Sequence, residues 1–152
     1  MTGVDYVGET WKREDMDSKI DKLLFRWREI ESCVKERKET RHGSAGGGSR
    51  SSVSDPTAAE AIRLADELPF LRLADGTGIE RPEMWLRVFT MAYWNLDTML
   101  QDIMRRRYRL YEPYLRTSMA LHISDRAYYG FVDEVRSYVV MVAVQYGLVK
   151  AV

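Results

Sequence analysis

Cysteine is all but missing: Cys33 is the single one in 152 residues, which excludes an intrachain disulfide framework. In its ordinary helical stretch it reads as a small, semi-buried residue. Histidine is scarce too, and His42 and His122 each lack a partner at metal-ligand spacing, so no metal is expected. No glycine loop suits a phosphate, since "DGTGIE" lacks the lysine and the helical context of such a loop. Acidic pairs occur, but amid the alternating charge of solvated helix faces. These gaps argue against an enzyme, and no cofactor is expected. Neither sign of charge is in excess, with 23 lysines and arginines against 23 aspartates and glutamates. That balance argues against a strongly basic nucleic-acid binder, although clustering matters more than the sum. No run reaches the roughly 18 apolar residues of a membrane span, and "MTGVDYVGETWKRED" holds no apolar signal core. The expectation is a cytoplasmic chain without a membrane partner. No segment alternates with a period of two between hairpin turns, so no strands are expected.

What is present is enough for a core: 45% of residues are apolar and 30% charged. The sharpest change of composition is "HGSAGGGSRSS", which predicts a flexible linker over 42–53 between an N-terminal part, 1–41, and a helical domain, 54–152. Before it, Ile20, Leu23, Trp27, Ile30 and Val34 recur at steps of three and four, with Leu24 widening the stripe. One long amphipathic helix over about 14–40 follows from that spacing. Its stripe has to lie on the rest of the chain, on a second copy, or on a partner helix.

After the linker, "SDPTAAEAIRLADEL" predicts a capped helix to about Leu68. Gly76 and Gly78 argue for a loop over 74–81. Pro82 then opens a helix whose buried stripe is Trp85, Phe89 (or Val88), Ala92 and Leu96, with a break at Asn95 and Asp97. Leu100, Ile103, Met104 and Tyr108 mark a further helix ending near Leu110. Pro113 starts a short helix to about Leu121, and Ser124 caps a long last one. The class is all-α. Trp27, Trp85 and Trp94 fall in helices, the first two on apolar stripes, and core packing is favoured over base stacking for them.

The stretch "LHISDRAYYGFVDEV", residues 121–135, meets the physical needs of a helix-turn-helix over about 112–146. Ser118 is small enough for two helices to cross closely, and Leu121 and Ile123 flank the turn. Ser124 is a good N-cap, and Asp125 suits the helix dipole. A stripe of Tyr128, Val132, Val135, Val139, Val142 and Tyr146 leaves Arg126, Tyr129 and Gly130 facing away from the core, with Asp133 and Arg136 further along. Those are the positions from which a reading helix touches bases and phosphates. The same residues also suit the capped start of an ordinary bundle helix.

The order Arg107-Tyr108, Tyr114, Ser118, Leu121, Ile123, Ser124, Tyr128 and Tyr129 resembles the small phage-encoded transcriptional regulators of the RinA and ArpU kind. Their C-terminal domains are similar to region 4 of sigma factors. The likeness covers roughly residues 42–145. It departs at Thr117, where isoleucine is more usual, at Ala127 in place of threonine, and at Gly130 in place of a basic residue. The resemblance implies a regulator in a bacterial host cell that binds double-stranded DNA and activates transcription near a phage promoter. It further implies contact with RNA polymerase.

The DNA-contact candidates are Arg126 and Tyr129 for bases or sugars, Arg116 and Arg136 for phosphates, and Ser124 as the cap of the reading helix. "RRRYR" adds Arg105 and Arg106, which either follow the phosphate backbone or form the solvated C-terminal turn of a helix. The tail "YVVMVAVQYGLVKAV" is apolar on more than one face. It requires cover from the N-terminal helix or from a homodimer, and a dimer would set two reading helices on two half-sites. The alternative function is a helical protein-binding adaptor, such as an antiterminator-like polymerase binder or a phage assembly factor. Arginines gathered on one exposed face favour DNA; arginines scattered or paired with acids favour the adaptor.

Overall fold

The computed structural model describes residues 5–6, 10–43 and 67–151. Most of the expected linker and of the helix over 54–68 therefore lies outside the described residues. Strands β1 (Asp5–Tyr6) and β2 (Thr10–Trp11) come first, followed by α1 (Arg13–Phe25) and α2 (Trp27–Gly43). The single helix expected over 14–40 is thus two. The break is one residue wide: the amide of Arg26 turns back to the Leu23 carbonyl at 2.9 Å, and Ile30 N–H resumes the helical ladder on Arg26 at 2.7 Å. The guanidinium of Arg26 holds the bend from outside, pairing with Glu29 at 2.7 Å and with Asp75. The apolar phase survives the bend. Ile20, Leu23, Leu24, Trp27, Ile30 and Val34 are all buried in one cluster with the rest of the chain. Of the three possible covers for that stripe, the one seen is the chain itself.

The expectation of no strands is corrected. β3 (Phe70–Arg72) and β4 (Gly78–Glu80) form an antiparallel hairpin, β1 joins β4 in parallel, and β2 pairs in parallel with β5 (Lys150–Ala151). Each strand is two or three residues long, too short for any alternation to register. The loop expected over 74–81 is correspondingly only a turn. Gly76 sits at φ 94°, where a side chain is disfavoured, and Leu73 N–H bonds the Thr77 carbonyl at 2.7 Å. Asp75 organises it by accepting the Thr77 amide at 3.0 Å. That backbone bond, then the Thr77 hydroxyl and Arg26, lower the Asp75 carboxyl from 3.8 to about 2. A folded value below the unfolded one stabilises the fold above the unfolded pKa, and the contribution is lost as pH falls through about 2. A carboxyl-carbon NMR titration should therefore place the Asp75 midpoint near 2. A midpoint at the ordinary aspartate value would disprove this arrangement.

Helix α3 (Pro82–Asn95) follows, with Trp85, Val88, Phe89 and Ala92 buried. Its rings meet α2 through Trp27 and Phe89, 5.6 Å apart. Asp97 caps α4 (Thr98–Met104) by accepting the Leu100 amide at 2.9 Å. The chain then widens into a π-helical turn over Arg105–Arg109, closed by Leu110 N–H on the Arg105 carbonyl at 3.0 Å. Tyr108 stays fully buried in that turn. The last two helices are α5 (Tyr114–Leu121) and α6 (Asp125–Gln145). The molecule is mostly helical and all-α in class. One face of the apolar tail is covered by its own chain, with Val139, Val142, Ala143, Leu148 and Val149 buried in the common cluster beside residues of α1 to α3, while Met141 and Val144 on the same stretch stay exposed. Cys33 is half-buried against that cluster, and burial, then Glu29, push its thiol pKa up. Among the described residues, no helix is long and apolar enough to cross a membrane.

Candidate nucleic-acid interface

Two small residues set the crossing of α5 and α6, since Thr117 and Ser118 are both buried. His122 ends α5 in the left-handed region at φ 57°. That turn lets Ile123 N–H reach back to the Ser118 carbonyl at 3.0 Å. Leu121 and Ile123 then pack on a second apolar cluster of Ile103, Tyr128 and Val132. Ser124 starts α6 as expected, its hydroxyl accepting the Ala127 amide at 3.0 Å. Further along α6, Tyr128, Val132, Val135, Val139 and Val142 are buried, while Tyr146 is half-buried.

The opposite face of the first turns is exposed. Asp125, Arg126, Tyr129 and Gly130 all lie open. Tyr129 is braced edge-on by Tyr128 at 5.1 Å and tilted against Tyr114 at 5.6 Å. Arg126 and Arg116 are exposed, and neither has an ion-pair partner among the described residues. A Cβ added at Gly130 would meet nothing within 4 Å, so no packing requires glycine there. Gly130→Ala should raise stability by up to about 1 kcal/mol through helix propensity alone. A thermal melt that moves up by a few degrees would agree; a fall would reveal a steric need for glycine.

The remaining candidates are held by acids instead of standing free. Arg105 pairs with Asp102 at 2.6 Å, and Arg106 bridges Asp102 at 3.1 Å and Glu112 at 2.9 Å. Arg136 pairs with Asp133 and lies 3.5 Å from Asp21. A hydrogen bond from the Thr117 hydroxyl at 2.7 Å, then Arg106, lowers the Glu112 carboxyl pKa. Glu112 thereby ties the π-helical turn to α5. Of the cationic cluster, Arg106 braces the two-helix unit through Glu112 and Arg107 through the Tyr128 hydroxyl, while Arg116 on α5 and Arg126 on α6 have no ion-pair partner among the described residues.

The sequence reading missed Asp21. This half-buried carboxylate accepts the Tyr108 hydroxyl at 2.5 Å and Arg107 at 3.3 Å, with Arg136 beyond. Burial, then the Asp21 charge, push the Tyr108 phenol far above its ordinary value, so it stays protonated and donates to Asp21. Arg107 also donates to the Tyr128 hydroxyl at 3.3 Å, which links α1 to the root of the reading turn. The signal was faint: Asp21 sits between Ile20 and Leu23 on a helix whose polar positions otherwise read as solvated. Trp27 and Trp85 are buried as expected, but the expectation of core packing is corrected for Trp94, which lies off the apolar stripe and is 71% exposed. Compared with known proteins, the chain matches no family model, no curated protein and no solved structure.

Proposed function

We propose that the chain is a phage-type transcription regulator that reads double-stranded DNA through the turn and first two turns of α6. The observation that carries this reading is the two-sidedness of α6. Its stripe is buried from Tyr128 onward, while Arg126, Tyr129 and Gly130 are left open on the other face. In the groove, Arg126 donates to a guanine edge or a phosphate, and Tyr129 meets sugar or base. Arg116 adds a phosphate contact from α5. Ser124 fixes the start of the helix, whose free amides favour an anion at that end. Gly130 lets the backbone approach closely. Arg105, Arg106 and Arg136 position the unit without touching DNA. The likeness to RinA- and ArpU-like regulators adds activation near a promoter and contact with RNA polymerase.

The test is fluorescence anisotropy on DNA fragments tiled across the gene's own neighbourhood. Preference for one fragment supports the reading, and equal, weak binding to all of them rejects it. A second reading, the protein-binding adaptor, is favoured by a specific observation. Arg105, Arg106 and Arg136 are paired with acids, while Leu115 and Met119 stand 55% and 70% exposed on α5. Capture of RNA polymerase without any DNA preference would select it.

A further inference from the structure

Trp94, on the outer face of α3, separates two hollows. On one side lies an open hollow of about 480 Å³ with a mostly apolar surface, lined by Leu86, Met91, Trp94 and Tyr146 together with Arg87, Thr90 and Asn95. On the other lies a smaller one of about 210 Å³, lined by Trp27, Thr90, Tyr93, Trp94, Arg105 and Arg109. Thr90 and Trp94 border both, so the two are continuous across one indole ring.

The residues that line the smaller hollow include two with unpaired donors. The Trp27 side chain is buried, yet its Nε1–H has no acceptor among the described residues. The Arg109 guanidinium stacks over the Trp27 ring at 4.8 Å and gives Nη2 to Glu31 at 3.0 Å. Its Nη1, also buried, has no partner. Buried donors without an acceptor are costly and rare in folded proteins. Two of them on side chains lining one hollow, one carrying positive charge, ask for an acceptor of negative charge; Arg105, on the same wall, is already paired with Asp102. The neighbouring hollow asks for something apolar, and it is walled by an exposed tryptophan and Met91, the adaptable side chains on which binding energy concentrates.

We propose that the Trp94 face of α3 binds a partner protein segment that presents a carboxylate about one helical turn from an apolar side chain. The carboxylate enters beside the stacked Trp27 and Arg109 side chains and accepts Nε1–H and Nη1–H as the two shift to meet it. The apolar side chain fills the hollow between Met91 and Tyr146. A phosphodiester chain satisfies the first hollow but has nothing to place in the second. The larger hollow is also remote from the reading turn. Tyr146 lies 17 residues beyond Tyr129, about 25 Å along α6, so partner and DNA can be held at once. This inference does not depend on the DNA reading.

The test is a two-dimensional proton–nitrogen NMR titration of the full chain, following the tryptophan indole signals, assigned with Trp27→Phe and Trp94→Phe. The probe is a capped alanine-based peptide with one glutamate and one leucine four residues apart. The expected result is a saturable shift of the Trp27 and Trp94 signals together, with Trp85 unmoved, and at least tenfold weaker binding when the glutamate is glutamine. Trp94→Ala, at an exposed position, should keep the fold and weaken the peptide at least tenfold. Arg109→Lys retains the charge and loses the fork, and should weaken the glutamate peptide more than the glutamine one. Equal shifts with both peptides, a silent Trp27 signal, or an equal response to duplex DNA or inorganic phosphate would overturn the proposal. So would the same shifts produced by raising the protein concentration alone, which would make a second copy the occupant.

Discussion

Asp21→Ala should cost the fold about 2–4 kcal/mol, the range for breaking a largely buried ion pair that keeps some solvent contact. The carboxylate gathers two donors, Tyr108 and Arg107 on the π-helical turn, and a further cation, Arg136 on α6. Its removal leaves the Tyr108 hydroxyl inside a fully buried side chain without its acceptor. Arg107 keeps the Tyr128 hydroxyl and the face of Phe25, 4.9 Å away, and Arg136 keeps Asp133. Those remaining partners make the loss smaller than that of an isolated buried charge. Asp21→Asn should recover part of it, because the amide oxygen still accepts from Tyr108. Urea unfolding followed by circular dichroism measures both. A loss under about 0.5 kcal/mol for the alanine variant, the size of an ordinary surface change, would show that the hub is not holding α1 to the two-helix unit.

Arg126→Ala/Tyr129→Ala should leave folding within about 1 kcal/mol of the parent, since Arg126 is exposed and Tyr129 contributes only ring contacts on its open side. Its effect on DNA should be large. A base-edge contact contributes about 1–3 kcal/mol of discrimination, so losing both should weaken the preferred fragment by about 2–4 kcal/mol, roughly 30- to 1000-fold. Non-specific binding should fall far less. Arg136→Ala provides the contrast, because its guanidinium is engaged with Asp133 and Asp21. It should lower stability and leave the DNA preference intact. A double variant that binds like the parent would remove α6 from the reading surface.

The helices were legible where long stripes and good caps coincide. Pro82, Asp97, Pro113 and Ser124 each stand at or beside a helix start, because a cap or a fixed φ acts locally and leaves its mark in the sequence. The bend at Arg26 was not legible, since the partner that holds it outside the helix, Asp75, is 49 residues away. β1, β2 and β5 were hidden for a similar reason, their pairing being between segments distant in sequence, while β3 and β4 form a local hairpin too short for alternation to show. At the candidate site, the exposure of Arg126 and Tyr129 followed from the phase of the buried stripe. The fate of the arginines did not. Whether Arg106 or Arg136 is free depends on where Glu112 and Asp21 arrive in space, and composition carries no trace of that. The donor-lined hollow beside Trp94 was equally hidden, because Trp27 read simply as a core residue.

The most direct measurement is the anisotropy titration of the full chain on the tiled fragments at several salt concentrations. With Arg105, Arg106 and Arg136 occupied by acids, few cations remain to displace counterions. One fragment should be bound in preference, with log K falling against log salt at a slope of only about −2 to −4 for each reading unit. The Arg126→Ala/Tyr129→Ala chain should lose that preference. Binding that is the same on every fragment, or a preference that survives the double substitution, would contradict a DNA-reading α6.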